Sequence, residues 1–345
     1  NKWPQFTTEI EGIQVHFYHI KPEKKYKESV PMLVVHGWPG CVFEFYKLIP
    51  TLLDPSPQRL GGDFNFELVV PSIPGYGFSS QPKKTGFSQV AAARIFRKLM
   101  KRLGHEKYYL QGGDWGSLIT ANFARMYPEN VLGLHLNMFA VMPGTNAWGT
   151  VQSVLGSYFP KLFFKNEYHH GYNLFGSLKQ LIIETGYMHI QATKPDTVGT
   201  ALNDSPIGLA AYILEKFSTW TNPANRELPD GGLTKKFTLD ELLTVITIYW
   251  TQGNIVSSQR FYKEFFLDRN NELLAKQYIT VPTMHAQFKN ELFDKDPEEI
   301  VRTACNLTRQ VTLQDGGHFA AFEEPRLLAR SIFEFVEEVE EKRRK

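Results

Sequence analysis

A buried strand that runs through a glycine-flanked turn straight into a helix leaves few choices of fold, and one segment here is written that way. It is Leu110-Gln111-Gly112-Gly113-Asp114-Trp115-Gly116-Ser117. Tyr108–Gln111 reads as the strand, and helical spacing follows from about Ser117 to Met126. Gly112 and Gly116 lack the Cβ atoms that would hold strand and helix apart. Such a turn belongs at the edge of a parallel sheet, with its central side chain raised above the strand end.

The same alternation extends from residue 10 to about 142. Gln14–Ile20 alternates like a strand, whereas Pro31–Val35 and Phe66–Pro71 are continuous apolar runs, expected of strands covered on both faces. Phe87–Leu103 carries Ile95, Leu99 and Leu103 on one helical stripe, with Gly104 past its end. Val131–Asn137 reads as another strand. Strands alternating with helices predict an α/β fold with a largely parallel sheet.

The strand pattern stops at about Pro143. Leu209, Tyr212, Ile213, Lys216, Phe217 and Trp220 recur at helical spacing, and Leu239–Trp250 and Ser257–Phe266 are helix-like too. Ile279–Gln287 and Arg309–Leu313 then read as strands and Leu327–Glu338 as a closing amphipathic helix. The charged end Glu337–Lys345 is expected to fray. The predicted organisation is an α/β core in two parts, 1–142 and 268–345, interrupted by a helical lid at 143–267. That lid would roof the C-terminal edge of the sheet, where open α/β sheets bind ligands.

Composition narrows the function. The 345 residues carry 38 basic and 36 acidic side chains, and a net charge of +2 argues against a nucleic-acid binder driven by a positive field. Aromatic residues make up 14%, which suits an apolar ligand site. The cysteines, Cys41 and Cys305, are too few for a disulfide scaffold or a cysteine-rich metal site. No apolar run approaches the ~20 residues of a membrane span.

Gly112–Gly116 has the G-x-Nu-x-G form of a nucleophile elbow, with Asp114 where esterases place Ser. A helix N-terminus favours a carboxylate there, although the plain alternative is an N-cap. The identity of the nucleophile selects the chemistry. Serine attacking an sp³ carbon would leave a stable ether, whereas a carboxylate leaves an ester that water can hydrolyse. Epoxide opening or halide displacement is therefore expected, and peptide or lipid hydrolysis is disfavoured.

Ester hydrolysis needs a base. Gly316-Gly317-His318 follows the last strand and supplies His318, unless that residue is simply a hydrogen-bonded core histidine. Glu291, after the penultimate strand, can orient the imidazole. Asp294 and Asp296 are rival acids, but Asp296-Pro297-Glu298-Glu299 reads better as an N-cap followed by Pro at the first helical position. Asp315 shares the loop of His318 and is poorly placed. The order Asp114, Glu291, His318 is that of the α/β-hydrolase fold. His36-Gly37-Trp38-Pro39-Gly40 follows a buried strand, so the backbone N–H groups of Trp38 and Trp115 can form an oxyanion hole. A tight turn with a cis Trp-Pro bond is the structural alternative, and both can hold together.

At this point the chain resembles the microsomal epoxide hydrolase family, which includes the insect juvenile hormone epoxide hydrolases. His36–Gly40, Gly112–Ser117, Gly186–Ile190, Thr193–Thr221, Ser257–Lys263 and Gly316–Pro325 carry the resemblance, which spans essentially the whole chain. It implies that Tyr187 and Tyr262 are the lid phenols that protonate the epoxide oxygen, that the substrates are small apolar epoxides and water, and that no cofactor is needed. Cys41 stands where Ser would be expected. The resemblance also implies a parent protein anchored at the endoplasmic reticulum membrane, with the abrupt start at Asn1 reading as a catalytic unit cut free of its anchor.

A haloalkane dehalogenase would use the same Asp elbow but needs N–H donors for halide in place of paired phenols. A non-catalytic carrier of hormones or lipids has no need of Asp114, Glu291 and His318 together. His169-His170 and His16/His19 lack an H-E-x-x-H frame or cysteine partners, so no metal is expected.

Overall fold

The computed structural model describes residues 2–23, 26–58, 60, 63–292 and 296–345. Its frame is an eight-stranded sheet made of β1 (Gln5–Ile10), β2 (Ile13–Ile20), β3 (Glu28–Val35), β4 (Phe64–Pro71), β5 (Tyr108–Gly112), β6 (Val131–Leu136), β7 (Ile279–Phe288) and β8 (Cys305–Leu313). The strands lie in the order β1-β2-β4-β3-β5-β6-β7-β8. β1 and β2 are antiparallel, β2 pairs antiparallel with β4, and the pairs from β4 to β8 are parallel. The α/β-hydrolase arrangement read from the sequence is thus present, with an antiparallel edge added. Glu11 and Gly12, both at positive φ, make the two-residue turn that joins β1 to β2.

Continuous apolar strands are explained by burial on both faces. Leu33 and Val35 of β3 pack with Ile95, Phe96, Ile119 and Phe123 of the helices Gln89–Arg102 and Trp115–Met126. Met32 and Val34, one residue out of phase, pack on the other face with Leu48, Leu52, Ile332 and Phe333, from the helices Leu48–Leu53 and Pro325–Arg344. The sheet is the middle layer of three.

Several boundaries differ from the sequence reading. The last strand starts at Cys305, and the helix after the elbow starts at Trp115, directly behind Asp114. The charged C-terminal tail does not fray: it is helical through Arg344. Lys342 and Arg343 pair with Glu338 and Glu340 one turn earlier, and the Tyr109 hydroxyl donates to Glu340. Asp296 is not an N-cap. Pro297 holds that position before the helix Glu298–Val301, and the Asp296 carboxylate accepts the Val141 N–H at 2.6 Å.

Between β6 and β7 the described residues form helices and no strand. Ser205 caps the helix Pro206–Thr219 by accepting the Gly208 N–H, and Thr238 with Glu241 makes a reciprocal capping box for Leu239–Gln252. This segment is tied to the strand-end loops. The Tyr249 hydroxyl donates to the Gly40 carbonyl at 3.0 Å, Tyr46 and Lys47 hold Glu241, and the His318 N–H donates to the Trp220 carbonyl at 3.0 Å. Glu184 anchors its interior through Lys216, Arg226 and the Trp220 indole N–H.

Candidate active site

Asp114 stands between β5 and the helix Trp115–Met126 with φ +50° and ψ −128°. Apart from Glu11, it is the non-glycine residue at positive φ among the described residues, a conformation that costs roughly 1–3 kcal/mol. Glycines make the turn possible. A Cβ at Gly116 would strike the Val35 carbonyl, and one at Gly37 would strike the Asp114 carboxylate. Although Asp114 occupies the N-cap position, its side chain makes no capping hydrogen bond. The carboxylate is turned away from the helix and into the site.

There its Oδ1 accepts the backbone N–H of Trp38 at 2.7 Å, and its Oδ2 lies 3.5 Å from His318 Nε2. The Trp38–Pro39 bond is cis. The His36 ring braces this loop, with Nδ1 2.9 Å from the Gly37 carbonyl and Nε2 accepting the Ile73 N–H at 3.1 Å. Trp115 opens the helix, so its own N–H has no intrahelical acceptor, and its indole packs on Tyr262. Opposite Asp114, His318 Nδ1 meets Glu291 Oε2 at 2.9 Å, with Glu291 completely buried. Burial alone would push the imidazole pKa down, but the charges and hydrogen bonds of Glu291 and Asp114 hold it well above its usual value. Of the rival acids, Asp296 is engaged at Val141, Asp315 pairs with Lys236, and Asp294 lies outside the described residues.

Two phenols close the site. Tyr187, on the helix Gly186–Thr193, stacks on Trp38 with ring centroids 5.2 Å apart. Tyr262, on the helix Ile255–Leu267, meets the Trp115 ring at 4.5 Å and Tyr187 at 5.9 Å. Burial pushes both pKa values well above the ordinary tyrosine range, and the nearby Asp114 carboxylate adds to the shift. Both phenols therefore stay protonated at neutral pH.

Two further carboxyls at the site escaped the sequence reading. Glu323 accepts the N–H groups of Gly317 and Phe319, each at 2.9 Å, and so clamps the loop on both sides of His318. Burial raises its pKa to about 8. Glu44, on the short 3₁₀ helix Val42–Phe45, also faces the site, and burial raises its pKa to about 8 as well. Gly316–Pro325 holds both Glu323 and Glu324, so residue spacing singles out neither Glu323 nor Glu44.

The histidines outside the site have other partners. His16 sits 2.9 Å from Ser72 Oγ and 3.0 Å from Gln5 Oε1, and burial lowers its pKa to about 4. His170 meets the Phe164 carbonyl, and His169 approaches the Gln310 amide. His19 meets Glu67 at 2.7 Å, and His105 approaches the same carboxylate at 3.4 Å; spacing could not show that these three side chains converge.

Comparison with known proteins decides the class. Residues 30–325 match the alpha/beta hydrolase fold family, and residues 1–45 match the family described as epoxide hydrolase N terminus. The chain is 51% identical to epoxide hydrolase 1 of Sus scrofa over 97% of its own length and 74% of the relative's. The chain belongs to the epoxide hydrolase family. It is also 46% identical to juvenile hormone epoxide hydrolase 1 of Ctenocephalides felis, over 99% of this chain and 73% of that protein. The crystal structure of juvenile hormone epoxide hydrolase from the silkworm Bombyx mori superposes with a TM-score of 0.93 at 42% identity, covering 99% of this chain and 80% of the other. Family membership sets aside both the dehalogenase and the carrier readings. No helix among the described residues is long and apolar enough to cross a membrane.

Proposed function

We propose that this epoxide hydrolase converts apolar epoxides to vicinal diols through an ester on Asp114. The observation that carries the reading is the Asp114 carboxylate itself, which leaves its helix uncapped and lies between the Trp38 N–H and the His318–Glu291 pair. Asp114 Oδ2 attacks the less hindered oxirane carbon, the C–O bond breaks, and Tyr187 and Tyr262 protonate the departing oxygen. A leaving alkoxide is strongly basic, so a neutral phenol is acidic enough to protect it.

In the second step His318 takes a proton from water, and the water oxygen bonds to Asp114 Cγ. The resulting oxyanion is held by the N–H groups of Trp38 and Trp115. Collapse breaks the Cγ–Oδ2 bond, Oδ2 leaves in the diol with the proton returned by His318, and the regenerated Asp114 acid passes its proton to the imidazole. Glu291 orients the imidazole and balances its charge. Residues 1–142 and 268–345 act as the catalytic core, with 143–267 as the lid that delivers both phenols. Resemblance to a microsomal family supports a place for the natural protein at the endoplasmic reticulum membrane, which fractionation of the source cells tests.

Asp114→Ala should abolish diol formation from styrene oxide, and His318→Gln should trap an enzyme–substrate ester visible by intact mass. Wild-type turnover in Asp114→Ala would sink the mechanism.

A further inference from the structure

A cavity of about 20 Å³ lies beside the nucleophile, lined in part by Gly40, Glu44, Gly113, Asp114, Asn137 and His318. A cavity needs roughly 10–15 Å³ of such space, and at least two polar partners, to hold one water. This one is therefore a single-water site, and it touches both groups that ester hydrolysis requires. Water here reaches His318, its proton acceptor, and Asp114, whose Cγ it must attack.

Glu44 is the remaining ionisable group on that wall, and no other step of the proposed mechanism uses it. It belongs to the turn directly after His36–Gly40, where its N–H donates to the Cys41 carbonyl at 3.0 Å. Its carboxyl lies over Gly40, so closely that a Cβ at that glycine would collide with it. Among the described residues the carboxyl has no hydrogen-bonded protein partner. The residue is part-buried and its carboxyl faces the cavity, so water is the partner open to it.

We infer that Glu44 and His318 together form the binding site for the hydrolytic water, with the Glu44 carboxyl accepting one water hydrogen while His318 accepts the other. The water lone pair is then left facing Asp114 Cγ. The inference rests on the covalent mechanism proposed above. Electrostatics fit the sequence of events: burial and the Asp114 charge both keep Glu44 protonated in the resting enzyme. Esterification removes the Asp114 charge and so favours an ionised, better-accepting Glu44 when water has to be bound. The proton that Glu44 then releases passes to solvent and returns when the Asp114 charge is regenerated, so the overall balance is unchanged: Glu44 orients the water and His318 carries its proton.

The test separates the two chemical steps. Enzyme is mixed rapidly with styrene oxide and quenched, and the ester is followed by intact mass. Misplacing a reactant by about 1 Å costs on the order of 10²-fold. Glu44→Gln should therefore slow ester hydrolysis about tenfold to hundredfold, with alkylation within about twofold of wild type. The ester then dominates the steady state. Gly40→Ala keeps the acid but drives a methyl group into its carboxyl, and should slow the same step. An ester that clears at the wild-type rate in both variants, or alkylation and hydrolysis slowed in parallel, overturns the assignment of Glu44 alone. Absence of any ester in wild type and His318→Gln alike would overturn the covalent mechanism, and this inference with it.

Discussion

Exchanging Glu291 for Gln preserves shape and removes one buried charge. That charge lies 2.9 Å, atom to atom, from His318 Nδ1, and both side chains are shut off from solvent, so screening by water is slight. Unit charges about 4 Å apart, centre to centre, attract by about 4 kcal/mol at an effective dielectric constant of about 20. The imidazolium is only partly formed when water attacks the ester. If half of the charge has developed, about 2 kcal/mol of transition-state stabilisation is lost, or roughly 30-fold in rate. A Gln amide can also donate where the carboxylate could only accept, which permits the wrong imidazole tautomer; in hydrolytic triads that error reaches about 10⁴-fold. Glu291→Gln is therefore expected to slow ester hydrolysis between about 30-fold and 10⁴-fold, while alkylation by Asp114 is far less affected. Single-turnover mixing with styrene oxide, read by intact mass, gives both rates. Asp296→Asn is the structural control, because that carboxylate serves the Val141 N–H, and Asp294→Asn accompanies it. Rapid ester clearance in Glu291→Gln, or a hydrolysis defect in Asp296→Asn of the same size, would refute the assignment of Glu291.

Four further outcomes follow from the same structure. Tyr187→Phe and Tyr262→Phe should each slow alkylation about 10²-fold in rapid-quench measurements, with ester hydrolysis little changed. Asp114→Asn should lower the His318 pKa in an NMR titration, because one of the charges that raise it is gone. Glu184→Gln removes the buried carboxylate shared by Lys216, Arg226 and the Trp220 indole, while Lys216 keeps Glu215 at 2.5 Å, and should destabilise the fold by about 1–3 kcal/mol in denaturant titrations. Glu323 has a folded pKa raised from 4.5 to about 8, so wild type loses stability relative to Glu323→Gln as pH rises through that window; the melting-temperature difference between them should move in the variant's favour from pH 4.5 to pH 8.

What the sequence made legible were features encoded locally. Asp114 is marked by the glycines that its turn requires, and β3 by an apolar run whose alternate residues enter opposite core layers. Features set by distant partners were hidden. Glu44 and Glu323 look like ordinary surface acids until the fold brings the first to the wall of the site and the second under the N–H groups of Gly317 and Phe319. Tyr187 and Tyr262 lie 75 positions apart on separate lid helices, and only the resemblance, not their spacing, set them beside each other. The C-terminal tail looked frayed because its charges read as solvated, whereas their spacing pairs them along one helix and onto Tyr109. Asp296-Pro297 has the form of a helix start, but a tertiary acceptor was worth more to Val141 than a cap was to a four-residue helix.

The position of Asp114 also orders the two steps of the proposed cycle. While its carboxylate is free, it sits 3.5 Å from His318 Nε2 and helps to keep the imidazole protonated, so no base competes for water before the epoxide is bound. Alkylation turns the same group into a neutral ester and withdraws that support, so the imidazole gives up its proton, which makes good the one lost by a phenol at ring opening, and His318 can then accept a proton from water. The Trp38 N–H already holds Oδ1, which leaves Oδ2 as the attacking oxygen and places a donor where the oxyanion of the second step forms. A side chain capping its own helix could do neither, because its oxygens would face the first-turn amides. The positive φ at Asp114 is the local cost of that orientation, and the missing Cβ atoms at Gly37 and Gly116 are what make it reachable.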